Sequence, residues 1–365
     1  MTTHAAVSEA LTHPGVRKDK RHWRAWREGR IPMEWPLISW VISQNMMSSD
    51  GGDHTRLRGL VSKAFTPRRV EDMRGGVVDL VESLLDDLGR AAAESADGTV
   101  DIKAGLAEPL SVAVISELFG VDEGVRPELG RLVGITFDQS VSPEETMAAY
   151  GAMEGVLTEL VAARRARPGD DLTSALIAAR DREDRLSEQE LLWTLVLLLG
   201  AGFETTMNLL TNAVRALATH RDQLDLLTSG KAEWSRAVEE VLRWDGPAGF
   251  MPLRYTAEEV ELSGARIPAG EALLLAYVAA GRDEARHGPT AAVFDLTRED
   301  TAHLGFARGR HFCLGASLAR MEVGEALPRL FARYPGLELA GEPQPQPSFV
   351  AVGVEALPVR LAAGV

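Results

Sequence analysis

From residue 57 to about residue 243 apolar side chains recur at three- and four-residue spacing among Ala, Leu, Val, Glu and Arg, the period of helices with one buried face. Turn-forming breaks at Thr66-Pro67, Ala96-Asp97-Gly98, Ser142-Pro143 and Pro168-Gly169-Asp170 divide this stretch. They predict helices over 70–89, 110–119, 144–167 and 172–182. Ser187 followed by Glu190 has the spacing of a capping box, so a further helix starts there. Nothing stops it before about His220, which gives roughly 32 residues and about 48 Å at 1.5 Å per residue. Its middle reads Gly200-Ala201-Gly202. Each glycine inside a helix costs about 1 kcal/mol relative to alanine, so something is expected close to the backbone there.

After Pro247 the period changes. Val260-Glu261-Leu262, Gly264, Ile267-Pro268-Ala269-Gly270 and the apolar run at 272–278 read as strand, turn and strand. A helical pattern returns over 316–334, and the tail at 349–361 alternates as a strand pair would. The expected fold class is therefore mainly α with a minor β component.

Composition narrows the chemistry. The 365 residues contain one cysteine, Cys313. That excludes an internal disulfide, Cys-rich zinc modules and cysteine-ligated iron–sulfur clusters. A structural thiol, a nucleophile or a lone axial ligand remain. The balance of 39 Lys+Arg against 53 Asp+Glu, net −14, disfavours nucleic acid as a partner. The N-terminus has neither the basic nor the apolar region of a signal peptide. The longest apolar run, 191–203, is short for a bilayer and is bounded by Glu190 and Glu204. A cytoplasmic location without membrane contact is the simplest expectation.

Four constellations stand out. Cys313 lies in Phe306-Ala307-Arg308-Gly309-Arg310-His311-Phe312-Cys313-Leu314-Gly315, just before a helix start, where free N–H groups favour a thiolate. A buried inert cysteine is the plainer reading of that residue alone. Glu240 and Arg243 share one helical face and can pair, as many solvated surface pairs do. Glu204-Thr205 follows the glycines, either as a core helix emerging into solvent or as a proton-delivering pair beside a ligand. His54 and Arg58 lie four residues apart, able to hold an anion or simply to form a basic helix face.

Taken in order, His54-Thr55-Arg56-Leu57-Arg58, Ala201-Gly202-x-Glu204-Thr205-Thr206, Glu240-x-x-Arg243 and the Cys313 loop resemble the motifs of the soluble bacterial cytochrome P-450 family. The resemblance runs from about residue 5 to 361 and implies a single domain over 1–365 with the helix-rich fold of that family. It implies haem b (iron protoporphyrin IX) held by Cys313, whose anionic sulfur would donate electron density to the iron. Phe306 would shield the sulfur, and Gly309 and Gly315 would let the loop approach the porphyrin. His54, Arg58, Arg254 and His311 would contact the propionates. Ala201 and Gly202 would open the long helix beside the iron. Glu204 and Thr205 would deliver protons to dioxygen, and Glu240 with Arg243 would fix the core behind the loop.

By position, the substrate would meet Trp40, Leu198, Ala201, Ala248, Gly249, Phe250, Met251, Val350 and Ala351, which are mostly apolar and suit a hydrophobic organic molecule. Trp23, Trp26, Trp35 and Trp40 would form an aromatic wall or simply pack the N-terminal region. No flavin or nicotinamide fingerprint is visible, so electrons from NAD(P)H would arrive through a ferredoxin and its reductase. Lys63, Arg69, Arg308, Arg310 and Arg320 would form the basic docking patch. The activity implied is hydroxylation or epoxidation of a secondary metabolite. Oxidative C–C or C–N coupling of aromatic substrates is the second reading, and a catalytically silent partner-binding homologue is a distant third.

The chain departs from the family's pattern in four places. Ala307 stands where glycine is usual, with a minor effect expected. Phe203 stands where His is frequent and is expected near the substrate. Gly51-Gly52 replaces a common Pro-Pro. The helix and two strands that usually precede the segment resembling residues 7–14 are lacking, which would mean a late start or a reduced sheet with a wider entrance.

Overall fold

The protein is described from a computed structural model, which covers all residues except 64, 184, 185 and 362–365. The principal helices are α1 (His4–Thr12), α2 (Gly51–Ser62), α3 (Pro67–Glu94), α4 (Glu108–Phe119), α5 (Arg126–Phe137), α6 (Pro143–Ala166), α7 (Leu172–Glu183), α8 (Glu188–Thr219), α9 (Trp234–Trp244) and α10 (Ala316–Arg333). The strands are β1 (Val16–Arg17), β2 (Thr99–Asp101), β3 (Phe250–Thr256), β4 (Val260–Leu262), β5 (Ala265–Ile267), β6 (Ala272–Ala276), β7 (Glu338–Leu339) and β8 (Pro358–Arg360).

Local chemistry sets the helix starts. The Ser187 hydroxyl accepts from Glu190 N while Ser187 N donates to the Glu190 carboxylate, a closed capping box. Ser142 and Glu145 do the same for α6, with Pro143 in the first turn. Thr66 caps α3 ahead of Pro67. Helix α4 ends on Gly120, whose φ of 69° is the left-handed C-terminal conformation that glycine accepts without strain.

Helix α8 is the central element, with α4, α5, α6, α9 and α10 packed around it, and α10 also packs on α3. One large apolar core joins these helices. Helix α8 is long and apolar enough to cross a membrane, but most of its apolar stretch is buried inside the protein.

The β structure forms three small antiparallel groups, in the orders β1-β3-β6, β2-β8-β7 and β4-β5. The expected strand pair in the tail is different in detail. β8 pairs with β2 and β7, while Ala351 and Val354 make only isolated bridges, to Ala248 and Pro345. The N-terminal residues form a helix and a two-residue strand: α1 packs its apolar face against β4 and the short helix Tyr277–Gly281 that follows β6, and β1 adds to β3. In β3 the pairing with β6 shifts between Met251 and Arg254. Such an irregularity re-aims side chains, and here it lets both residues reach the same cavity.

Candidate active site

The loop ahead of α10 is held by its own backbone. Cys313 N donates to the Phe306 carbonyl at 2.9 Å, closing the loop around a short turn at Gly309–His311. Gly309 has a φ of 72°, and a Cβ there would stand 3.2 Å from the Leu11 carbonyl oxygen. Glycine at this position is explained by its backbone conformation and by the approach of α1, and it does not itself line the cavity. Gly315 does line it. Ala307 has a φ of 58°, a region where a Cβ costs about 1 kcal/mol or more, so this departure from glycine is a strained one.

Cys313 is exposed, and the surface it exposes lines an inner cavity shared with Arg58, Phe306 and Leu318. Burial pushes its thiol pKa up, opposed by the Gly315 N–H and by Arg58 and Arg320. Phe306 lines the cavity beside it, and the Arg320 guanidinium lies 4.6 Å over the Phe306 ring. Arg320 donates to Glu239 at 2.5 and 2.9 Å. Burial alone would raise Glu239, but its bonds with Arg320 and His303 outweigh this and hold it at about 2.

Cationic and imidazole groups gather in the same cavity. Arg58, Arg254, His311 and Lys18 line it, and the His54 ring lies 4.3 Å from that of His311. His311 is pushed down to about 2 by burial and then by Lys18 and Arg254. Lys18 is pushed down to about 7 by burial and by Arg254, with Asp50 opposing. The His54 Nε2 atom is buried without a hydrogen-bond partner. Like charges pressed together beside an orphaned imidazole form a site that an anion would complete. The donors present therefore fit a group carrying two carboxylates and an iron for the thiol.

On α8 the acid and the alcohol part company. Thr205 lines the inner cavity and its Oγ1 donates to the Ala201 carbonyl at 2.6 Å. Glu204 is 2% exposed and lines no cavity. It accepts from Gln346 Nε2 at 2.6 Å and Asn208 Nδ2 at 3.0 Å, and burial raises its carboxyl pKa. Ala201 and Gly202 line the cavity as expected. Phe203 does not: it is buried in the core, which corrects its expected place near substrate.

Glu240 and Arg243 are completely buried rather than solvated. Arg243 donates to both carboxylate oxygens at 2.7 Å and also to the carbonyls of Gly281, Ala291 and Val293. Glu240 also accepts from Asp295 N at 2.9 Å. The pair thereby ties α9 to the chain that leads into the Cys313 loop.

A second cavity adjoins the first, sharing Lys18, Met47, Ala201, Thr205, Ala248 and Met251 among its walls. Trp40, Ala201, Ala248, Met251, Val350 and Ala351 line it as expected. Leu198 lines the inner cavity instead. Gly249 and Phe250 line neither: Gly249 backs onto Val352, and Phe250 stacks on Phe349 at 4.8 Å. Of the N-terminal tryptophans only Trp40 faces the cavity, while Trp23 packs on Trp35 and Tyr255. Sequence reasoning missed Lys18, Phe137, Tyr150, Met153 and Trp193 in these walls, and Asn208 and Gln346 around Glu204. Lys18 sits in Arg17-Lys18-Asp19-Lys20-Arg21, which reads as a solvated run. The others occupy ordinary helix or loop positions with no local signal.

Comparison with known proteins agrees with this geometry. The family model described as cytochrome P-450 matches residues 235–360. The 2-hydroxy-5-methyl-1-naphthoate 7-hydroxylase of Streptomyces carzinostaticus is 42% identical over 345 residues, covering 94% of this chain and 83% of its own length. The 6-deoxyerythronolide B hydroxylase of Saccharopolyspora erythraea is 42% identical, covering 88% and 78%. The testosterone-bound structure of CYP154C4 from a Streptomyces species superposes with a TM-score of 0.95 at 42% identity, covering 100% of this chain and 89% of that one. With its thiol, its cation cluster and its full-length relatives in agreement, the chain belongs to the cytochrome P-450 family of bacterial monooxygenases.

Proposed function

We propose that the protein oxidises a hydrophobic secondary metabolite at a haem held by Cys313, and that the two cavities divide the work between cofactor and substrate. The observation that carries this is the inner cavity itself, where one thiol and an anion-seeking cluster face shared open space. When bound, the haem iron supplies activation of dioxygen, supported by electron donation from the thiolate.

The chain's own residues do the rest. Arg58, Arg254 and His311, with His54 beside His311, would bind and orient the propionates, and Lys18 would add a charge that the family pattern did not supply. Propionate charge would in turn relieve the mutual repulsion among these groups. Phe306 and Leu314 keep water from the sulfur. The Thr205 hydroxyl, now donating to Ala201 O, holds a proton at the edge of the cavity. Glu204, whose burial favours its protonated form, is the nearest acid in sequence; turning it from Gln346 and Asn208 would let it reload Thr205. The apolar walls of the outer cavity hold the substrate over this point.

Members of this family take electrons from a redox partner. Here the partner is taken to be a ferredoxin with a NAD(P)H-dependent reductase, in the cytoplasm. Lys63, Arg308 and Arg310 are exposed, whereas Arg320 and Arg69 are engaged by Glu239 and Asp170. A docking patch would thus rest chiefly on the first three.

The test is turnover with a surrogate ferredoxin, its reductase and NADPH against a panel of hydrophobic candidates. An oxygenated product is expected, with Thr205→Ala diverting electrons to peroxide. Unchanged coupling in Thr205→Ala would remove that hydroxyl from the mechanism.

A further inference from the structure

The tail loop between Gln344 and Glu355 touches both the substrate wall and the buried acid. It is closed by Gln346 N donating to Gly353 O at 3.0 Å and by Glu355 N donating to Gln344 O at 2.9 Å. At its tip, Val350 and Ala351 line the outer cavity, and Gly249 N donates to Val350 O at 2.9 Å. On the segment leading to the tip, Gln346 Nε2 donates to Glu204 Oε1 at 2.6 Å. The two contacts are joined within the loop. Ser348 N donates to Gln346 O at 2.8 Å, and Ser348 Oγ accepts from Ala351 N at 3.0 Å. A displacement of the tip is therefore passed to Gln346 through one short hydrogen-bonded turn.

The grip on Glu204 is built at the expense of other polar groups. Asn208 Nδ2 donates to the same carboxylate oxygen at 3.0 Å. Both amides then leave their own oxygens, Gln346 Oε1 and Asn208 Oδ1, buried without a hydrogen-bond partner. Gly353 lies so close that a Cβ there would overlap Asn208 Oδ1. An apolar set of the same shape would leave no orphaned acceptor, so packing alone does not explain these residues. What the arrangement achieves is a carboxyl held by two amides and kept off both cavities, next in sequence to a Thr205 that lines them. Burial raises the Glu204 pKa, with Gln346, Lys103 and Asn208 opposing and Glu108 adding, so the group is kept as a proton carrier.

We propose that Gln346 is a positioning residue that couples the substrate wall to the acid: an occupant of the outer cavity that displaces Val350 and Ala351 draws the Gln346 amide off Glu204 and frees that carboxyl to turn toward Thr205. With the cavity empty, the acid stays held. The inference rests on the oxidase reading above and adds to it the regulation of proton supply by occupancy.

The experiment uses the haem-loaded protein and two iron-ligating probes. Imidazole is small enough to stay at the iron, whereas the triaryl group of clotrimazole extends into the outer cavity. The infrared carbonyl stretch of the protonated Glu204 carboxyl reports its hydrogen bonds, and Glu204→Gln identifies the band by removing it. Clotrimazole is expected to move this band to higher frequency, as withdrawal of a donor does, and imidazole to leave it in place. Gln346→Met should show the higher frequency from the start and no response to clotrimazole. Coupling between two sites is reciprocal, so Gln346→Met should also bind clotrimazole about fivefold more tightly while binding imidazole unchanged. A residue that only packed the tail would produce neither effect. Gln346→Asn withdraws the amide but keeps the loop polar, and should behave like Gln346→Met where that variant folds poorly. A wild-type Glu204 band that ignores clotrimazole, or equal clotrimazole affinity in wild type and both variants, would overturn the proposal. So would a protein that binds imidazole but not clotrimazole, because its tail loop would not yield to an occupant. Failure of the oxidase reading is separate, since it would remove the haem spectrum and both azole responses together.

Discussion

Gly202 of α8 lies so close to Ile115 of α4 that a Cβ on the glycine would stand 2.5 Å from the Ile115 Cδ1 atom and 3.0 Å from Cγ1. Both residues line the inner cavity. The glycine that looks costly in a helix is thus explained first by helix packing, and only through that packing by the space beside it. Gly200, by contrast, would place a Cβ at an ordinary 3.6 Å from Phe137.

Gly202→Ala should therefore destabilise despite its better helix propensity. Overpacking costs about 1–3 kcal/mol, and alanine returns about 1 kcal/mol, so a net loss of about 1 kcal/mol is expected. Urea unfolding of the single variant and of Gly202→Ala combined with Ile115→Val checks this. The second change should recover most of the loss, because it removes the atom that clashes.

Ala307→Gly should stabilise the protein. The φ of 58° strains the alanine, and glycine removes the strain at the cost of a more flexible unfolded chain. The balance is about 0.5–1 kcal/mol, read as a small rise in the denaturation midpoint with an unchanged slope. Since Cys313 N is tied to Phe306 O next door, haem retention should not fall.

Arg243→Ala should cost about 3–5 kcal/mol, because it leaves Glu240 charged in the core and three carbonyls without their donor. Arg243→Lys should rescue little. A lysine cannot donate to both carboxylate oxygens and reach the Gly281, Ala291 and Val293 carbonyls as well. Thermal unfolding of the two variants decides it; a loss below about 1 kcal/mol for either would contradict the buried role.

Acid should loosen the N-terminal helix. The rings of His4 and His287 meet edge-on at 5.9 Å. His287 is pushed down to about 4 by burial and then by Arg243, with Asp300 opposing and His4 and Arg286 adding. His4 is lowered by burial, Arg286 and Arg308, against Asp283 and Asp300. Free histidine titrates near 6.5, so the unfolded chain binds these protons first. Stability from this pair is full above about pH 6.5 and falls as pH drops toward 4. Amide exchange across residues 4–12 should quicken over that range. His287→Leu should flatten the dependence.

How much was legible follows from what each feature depends on. The capping box at Ser187 acts over three residues and the Ser142-Pro143 break is local too, so the starts of α8 and α6 could be read directly. The cysteine loop is continuous in sequence, and its motif carried the family resemblance. Gly249 and Phe250 line neither cavity because they pack on the distant tail, Gly249 against Val352 and Phe250 against Phe349, contacts that local sequence does not show. Tyr150, Lys18 and Gln346 were invisible because their partners lie on other elements; Gln346 reaches Glu204 across 142 residues. Glu204 and Thr205, adjacent in sequence, point to different surroundings because successive helical residues are turned by about 100°.

The most direct test of the central claim is the carbon monoxide difference spectrum of the reduced, haem-loaded protein. Thiolate ligation by Cys313 predicts a strongly red-shifted Soret band, and Cys313→His should bind haem but lose that shift. A folded wild-type protein that takes up haem without the red-shifted band, or a Cys313→His variant that keeps it, would contradict the account.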